Sequence, residues 1–258
     1  MRTFNFMSAL LSLTFITLGL ASGCGGRDRT DGSEFVYAMS GMYRPFNYME
    51  GGELRGFDVD IGREISRRMG KAPKPVTNPW ETIIQGLRTG SYEAIIGSMA
   101  ITEERARQVE FSRPYYRSGA QIFVAEENLE VNGPDDLAES RVGVVRASTF
   151  RDIALELTNQ QNQVIGYDSD IVALRDLTTG RIDAVITDQV VGLAAIHDQN
   201  LGIKPVGEPL FTDEMAIAVA RGDHQTLAEI NHALESIIAD GTYEQISRKW
   251  FGRNILGE

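Results

Sequence analysis

A chain of 258 residues can build two modest cores or one large one. Its 42% hydrophobic and 24% charged residues are ordinary for a soluble globular protein. A net charge of −11 argues against nucleic acid and anionic membrane surfaces as partners, while leaving an anionic ligand open, because a site obeys its local charge.

The N-terminus reads as a targeting segment. Arg2 precedes a largely apolar run from Met7 to Leu20, and Leu20 to Cys24 reads LASGC. Small residues before a cleavage point mark a secretory signal peptide over 1–23. The only cysteine follows at once, which resembles a bacterial lipoprotein signal with Cys24 as the lipid-carrying new N-terminus. That pattern prefers Leu three residues before the cysteine, where this chain has Ala21. The competing reading is an uncleaved anchor, since residues 4–22 are uncharged and nearly long enough to span a bilayer. With Cys24 acylated no thiol remains for a disulfide, and the mature charge becomes −12. Residues 24–34 are mostly small and polar, without periodicity, and read as a flexible tether.

From Phe35 strands and helices alternate. A strand over Phe35–Met39 leads to a loop from Ser40 to Gly56. Phe57, Ile61, Ile65 and Met69 then recur at amphipathic-helix spacing, with Gly70 as the stop. A helix over Trp80–Arg88 precedes a strand over Ala94–Gly97, and Thr102 caps a third helix whose Glu103 and Glu104 suit its positive end. Ser118–Val124 is strand-like. A second set follows: strand Arg141–Val145, helix from Thr149, strand Val164–Tyr167, helix Ile171–Leu177, strand Ala184–Thr187 and helix Val190–His197. A strand over Met215–Ala220 precedes helices over Gln225–Ala239 and Thr242–Trp250.

Within this pattern lies a repeat. Residues 87–97 (LRTGSYEAIIG) and 177–187 (LTTGRIDAVIT) each end a helix on Thr-Gly and enter a short apolar strand. The copies then diverge: the first runs on to Ser98 and Arg105, the second to Asp188. Alternation of strand and helix implies parallel α/β sheets, and the repeat implies two of them. Crossings near 115–121 and 210–216 join lobe 1 (35–117 and 214–258) to lobe 2 (118–213), the last helices returning to lobe 1. Ligands of open α/β sheets bind beyond the carboxyl ends of the strands. A cation from one lobe and an anion from the other make a clamp for a zwitterion.

An ordered set of motifs carries a resemblance: YRPFNY from Tyr43, GFDVDI from Gly56, ITEER from Ile101, FSRPYY from Phe111, DGTY from Asp240 and KWFG from Lys249. Over residues 35–252 the chain resembles the polar amino-acid-binding proteins of bacterial ABC importers, the family 3 extracellular solute-binding proteins. The resemblance implies a periplasmic-binding-protein-like type II fold, with two α/β lobes joined by two hinge strands and closing over one amino acid. It further implies that Arg105 holds the ligand α-carboxylate and Asp188 the α-ammonium. Ser98 and Ala100 would add backbone or hydroxyl contacts, Thr149 and Arg146 second-lobe contacts to the carboxylate, and Tyr43 and Trp80 an aromatic sandwich. The expected partners are an amino acid and a membrane permease, for a monomeric, extracytoplasmic, lipid-anchored protein.

Blander roles exist for each residue. Arg105 sits in a first helical turn, where a cation opposes the helix dipole by roughly 0.3–1 kcal/mol. Asp188 suits a helix cap, Trp80 a core, and Arg146 a surface ion pair. Asp58 to Asp60 read as helix-start acids rather than a metal site. His197, His224 and His232 are scattered, no phosphate loop follows a strand, and neither metal nor cofactor is assigned. The rival functions are a cyclohexadienyl-dehydratase-like enzyme, for which the segment Gln189–Leu193 lacks the catalytic acid, and a ligand-sensing lipoprotein. Ser40 stands where members binding basic or amide side chains often carry an acid. Ala100 replaces a common hydroxyl residue. The first feature disfavours lysine, arginine or histidine and the second loses one side-chain bond to the ligand, while the aromatic pair with Arg146 suits a neutral polar or sulfur-containing amino acid, or an acidic one.

Overall fold

The computed structural model describes residues 33–257, and the statements below concern these. The expected signal peptide, Cys24 and the tether up to residue 32 lie outside the described residues. The first strand, β1 (Glu34–Met39), opens one residue earlier than the sequence pattern suggests.

The stretch read as a loop after β1 is a small antiparallel meander of β2 (Met42–Tyr43), β3 (Asn47–Glu50) and β4 (Glu53–Arg55). These strands are too short for a period to register. The turn between β3 and β4 is Gly51-Gly52, with φ of +60° and +84°, the two positive φ values of a tight hairpin. Helix α1 (Phe57–Arg68) then buries Phe57, Ile61 and Ile65 as its spacing requires. Strand β5 (Ala72–Thr77) was hidden by Pro73 and Pro75, which a strand tolerates at a sheet edge, where β5 lies.

The rest follows the expected alternation, except that α2 begins at Ile83 rather than Trp80 and β7 is an additional strand: α2 (Ile83–Arg88), β6 (Ala94–Ala100), α3 (Glu103–Ala106), β7 (Val109–Phe111), β8 (Tyr116–Ala125), β9 (Val142–Val145), α4 (Thr149–Leu157), β10 (Val164–Tyr167), α5 (Asp170–Thr178), β11 (Ala184–Asp188), α6 (Gln189–Gln199), β12 (Ile203–Ala220), α7 (His224–Ala239) and α8 (Thr242–Phe251). The repeat is a repeat in space as well. Gly90 and Gly180 end their helices with φ of +75° and +69°. Their N–H groups close back on the carbonyls of Leu87 and Leu177 at 3.0 and 3.1 Å.

Instead of two separate sheets there is one, in the order β10-β9-β11-β8-β12-β6-β1-β5, with β7 also pairing β12. The two crossing strands, β8 and β12, pair antiparallel with each other and weld the parallel halves together. Their backbone groups thereby find partners, which buried strands require. Strand β12 has 18 residues rather than the six expected, because Pro205, Gly207 and Pro209 read as loop. The ladder with β8 breaks between Val206 and Phe211, and there the Gln121 amide donates to the carbonyls of Val206 and Gly207 at 2.7 and 3.3 Å.

Each lobe keeps its own core. In the first, Phe57, Ile61, Ile217, Leu234 and Tyr243 share one cluster, so α7 and α8 return to it. In the second, Val142, Val144, Phe150 and Ile186 pack together, backed by Phe123, Leu174 and Val185 on the opposite face of the sheet. Full burial of each such side chain is worth about 1.5–3 kcal/mol. Among the described residues no helix is long and apolar enough to cross a membrane.

Candidate ligand-binding site

Two non-glycine residues with positive φ stand at the inner ends of the strands: Ser98 (+57°) in β6 and Ala147 (+55°) just after β9. The left-handed conformation costs an L-residue roughly 1–2 kcal/mol and persists only where its surroundings enforce it. At Ser98 the β6–β12 register shifts, and the freed N–H turns to receive help from a buried tyrosine. The Ser98 amide donates to the Tyr115 hydroxyl at 2.9 Å, and the Ser98 hydroxyl donates to Asp58 Oδ2 at 2.8 Å. Tyr115 and Asn47 also donate to Asp58, at 2.6 and 2.7 Å, while Asn47 Oδ1 accepts from the Ser40 hydroxyl at 3.0 Å. Asp58 is fully buried, and burial pushes its carboxyl up to about 6 despite three donors. This carboxylate fixes both Ser40 and Ser98, two residues of the cleft wall.

Arg105 reaches the same wall from α3. The hydroxyl of Thr102 accepts from the Arg105 amide at 3.2 Å and holds the short helix in place. The guanidinium donates to Ala100 O at 3.0 Å and, across the cleft, to Ala147 O at 3.3 Å. It also stands 5.4 Å from the centre of the Trp80 ring, whose Nε1 donates to the same Ala147 carbonyl at 3.2 Å. The positive φ of Ala147 thus serves a carbonyl that receives two donors from the opposite lobe. Desolvation lowers the Arg105 pKa, with Asp213 opposing, but guanidinium remains protonated in water at any ordinary pH. Beside it opens the N-terminus of α4, where Ser148 makes no side-chain cap. Thr149 Oγ1 donates to Asp213 Oδ2 at 3.4 Å. An arginine and a helix N-terminus side by side are suited to an anion.

The other end of the site is acidic. Asp188 is fully buried, its Oδ1 accepting from Val190 N at 2.7 Å as the cap of α6; the Ser118 hydroxyl and the Val191 N–H lie close enough to favour its charged form, although Oδ2 makes no well-aligned hydrogen bond. Burial pushes this carboxyl up to about 7. Asp170, 4% exposed at the start of α5, accepts from the Thr187 hydroxyl at 2.5 Å and is pushed up to about 6, again by burial. The hydroxyls of Ser169 and Tyr116 are buried without partners. Tyr43 is held by stacking on Phe46 at 5.3 Å, and Phe46 in turn on Tyr116 at 4.8 Å. Burial, with Asp188 and Asp170 nearby, raises the Tyr43 hydroxyl well above its ordinary value. A cation, a carboxylate and two aromatic rings thus line one cavity, with the Asp188 carboxylate buried behind it.

The model describing bacterial extracellular solute-binding proteins, family 3, matches residues 35–253. The chain belongs to that family. It is 36% identical over 226 residues to the L-arginine-binding protein of Pseudomonas aeruginosa, covering 83% of this chain and 86% of that one. It is 29% identical over 222 residues to an L-cystine-binding protein of Escherichia coli, covering 85% and 83%. Among solved structures, an ancestral arginine-binding protein bound to glutamine superposes with a TM-score of 0.81 at 34% identity, covering 86% of this chain and 99% of the other. The shared fold is the periplasmic-binding-protein-like one, and the relatives are amino-acid-binding proteins whose named ligands differ.

Within this family fold, Ser40, Tyr43, Trp80, Ser98, Ala100, Arg105 and Thr149 line a single cavity between the lobes. Arg146 does not. Its side chain leaves the end of β9 for the exposed Asp168, with which it pairs, and its Nε comes within 4.0 Å of Glu81 in the first lobe. The expected carboxylate contact from Arg146 is therefore replaced by an ion pair on the rim. Asp188 lies behind the cavity wall rather than on it, and it caps α6. Ser169 and Asp170 escaped notice in the sequence, and Asp58 was given a different role. Asp58 was read as a helix-dipole charge, although its place three residues before Ile61 puts it on the buried stripe of α1.

Proposed function

We propose that the protein captures a free amino acid between its lobes outside the cytoplasm and passes it to an ABC permease. Members of the family bind amino acids and deliver them to such permeases. The observation that carries the reading is one cavity with Arg105 and the α4 N-terminus on its wall and the buried carboxylate of Asp188 just behind that wall. The α-carboxylate would exchange the Ala147 carbonyl for itself on the guanidinium, forming two parallel charge-assisted hydrogen bonds. The α-ammonium would pair with Asp188, with Ser98 alongside. Trp80 and Tyr43 offer ring faces to the side chain.

Anchoring through a lipid on Cys24 would keep the loaded protein near its permease; this part of the proposal rests on the sequence of residues 20–24 alone. A binding role rather than catalysis is favoured by the segment after Asp188, Gln189 to Leu193, which has no acid to act as a proton donor.

Arg105→Ala tests the assignment. Truncating one partner of a closed-cleft charge pair costs about 2–5 kcal/mol, so the amino acid that titrates wild type in calorimetry should bind at least ~30-fold more weakly. The melting temperature of the unliganded domain should hold. Equal affinity would remove Arg105 from the site.

A further inference from the structure

We propose that Ser169 and Asp170, at the start of α5, form a subsite for a cationic side-chain end, and that the captured ligand is a basic amino acid. The inference rests on the reading that the cleft binds a free amino acid.

A zwitterion brings one negative and one positive group. Arg105 and the α4 N-terminus take the first, and Asp188 takes the second. Asp170 is then left over. It lies on the wall of the same cavity, 4% exposed. Its carboxylate accepts from the Thr187 hydroxyl, and the partial charge of the α5 N-terminus favours its ionised form. No ion pair among the described residues joins it to a basic side chain. Arg146 is committed to Asp168 and Arg44 to Glu50, while Arg175, which lines a neighbouring cavity together with Asp170, makes no ion pair with it. A buried carboxylate normally has a full countercharge, and here the protein provides none.

The neighbouring Ser169 makes the same point independently. It is 2% exposed, lines the cavity, and its hydroxyl has no partner in the protein. A carboxylate and a hydroxyl presented together match a group with several donors, such as a guanidinium or an ammonium. The Ser40 hydroxyl, on the same cavity wall, does not compete for them, since it donates to Asn47 Oδ1 instead. The Trp80 and Tyr43 rings flank the path and suit an aliphatic stem with a cationic tip. A neutral side chain would leave Asp170 unpaired in the closed cleft, and an acidic one would meet a like charge.

The acid absent from the first lobe at Ser40 is thereby supplied by the second lobe. Since Arg105 belongs to lobe 1 and Asp170 to lobe 2, the side chain is inspected only when the lobes meet. An open cleft would hold many amino acids loosely by their backbone charges, and closure would select the basic ones.

Arginine and citrulline have the same length and differ in charge at the tip, so their ratio isolates the subsite. Calorimetry on the wild-type protein should show arginine at least ~30-fold tighter than citrulline. Asp170→Asn should bring the two within about threefold, mainly by weakening arginine, while Asp170→Glu should retain a preference for arginine. A wild-type ratio near one, or in favour of citrulline, overturns the subsite while leaving amino-acid capture standing. So does an Asp170→Asn protein that keeps the ratio and merely melts lower, for Asp170 would then be only a helix-start acid. Failure of wild type to bind any amino acid overturns the capture reading and this inference with it. Because the wild-type ratio decides the matter first, a variant that fails to fold does not protect the proposal.

Discussion

Asp188→Asn should act in opposite directions on stability and on binding. The amide oxygen can keep the α6 cap by accepting from Val190 N, so the helix start survives. What disappears is a buried negative charge that has N–H and hydroxyl donors but, among the described residues, no ion-pair partner. In the folded protein the carboxyl titrates at about 7, against 3.8 for a free aspartate. Each unit is worth about 1.36 kcal/mol, so holding Asp188 ionised at pH 8 costs the unliganded fold on the order of 4 kcal/mol. Removing the charge should raise the melting temperature of the empty protein by several degrees at pH 8, given about 2–4 °C per kcal/mol at this size. At pH 5, where the native carboxyl is protonated, the gain should shrink. Amino-acid affinity should meanwhile fall at least ~30-fold, because the ammonium loses its counter-ion. Differential scanning fluorimetry and calorimetry on one preparation measure both. A variant that melts lower at pH 8 and binds as before would show that Asp188 is only a cap.

Two further outcomes follow from the same geometry. Asp58 and Asp170, at about 6, and Asp188, at about 7, hold protons in the native state that an unfolded aspartate near 3.8 has released. The native state thus binds more protons between about pH 4 and 7, and these groups make the empty protein lose stability as pH rises through that window. A bound ammonium reverses the trend at Asp188, so affinity should rise from pH 5.5 to 7.5 and binding near pH 6.5 should release protons. Calorimetry in buffers of different ionisation heat counts them, and no difference between buffers would contradict the assignment. Trp80→Phe keeps an aromatic face and deletes the bond to Ala147 O. Losing that single hydrogen bond, worth about 0.5–1.5 kcal/mol, should weaken ligand binding about two- to tenfold, chiefly through faster dissociation in stopped flow. An unchanged dissociation rate would exclude the bond from closure.

Much of this architecture was legible because it is written in periods. Phe57, Ile61 and Ile65 announce α1, and the Thr-Gly endings at Gly90 and Gly180 announce the duplicated helix-to-strand units. The elements that escaped are those whose stability comes from partners remote in sequence. Strand β5 needs only one neighbour and so tolerates prolines, and β12 runs through Pro205 and Pro209 because β8 pairs with it on both sides of the break. At the site, the residues named from the sequence converge where a motif fixes them, as Arg105 is fixed by the Thr102 cap. Arg146 diverged because a long exposed side chain follows the nearest acid, and no local pattern reveals that Asp168 is nearer than the cleft. Asp170 escaped for the complementary reason. At a helix start an acid looks self-explanatory, and only the fold shows that it is buried against a cavity without a counter-ion.

The reversed carbonyl of Ala147 also gives the molecule an optical gauge. The chain has two tryptophans. Trp250 is partly buried in the first lobe with its indole nitrogen on Asp60 at 2.8 Å, so its surroundings travel with it. Trp80 has its indole nitrogen on a residue of the opposite lobe and its ring beside a guanidinium. A separation of the lobes would break the Trp80 bond to Ala147 and leave that of Trp250 to Asp60 in place, so a change in the intrinsic fluorescence of the unlabelled protein would report it against an internal standard.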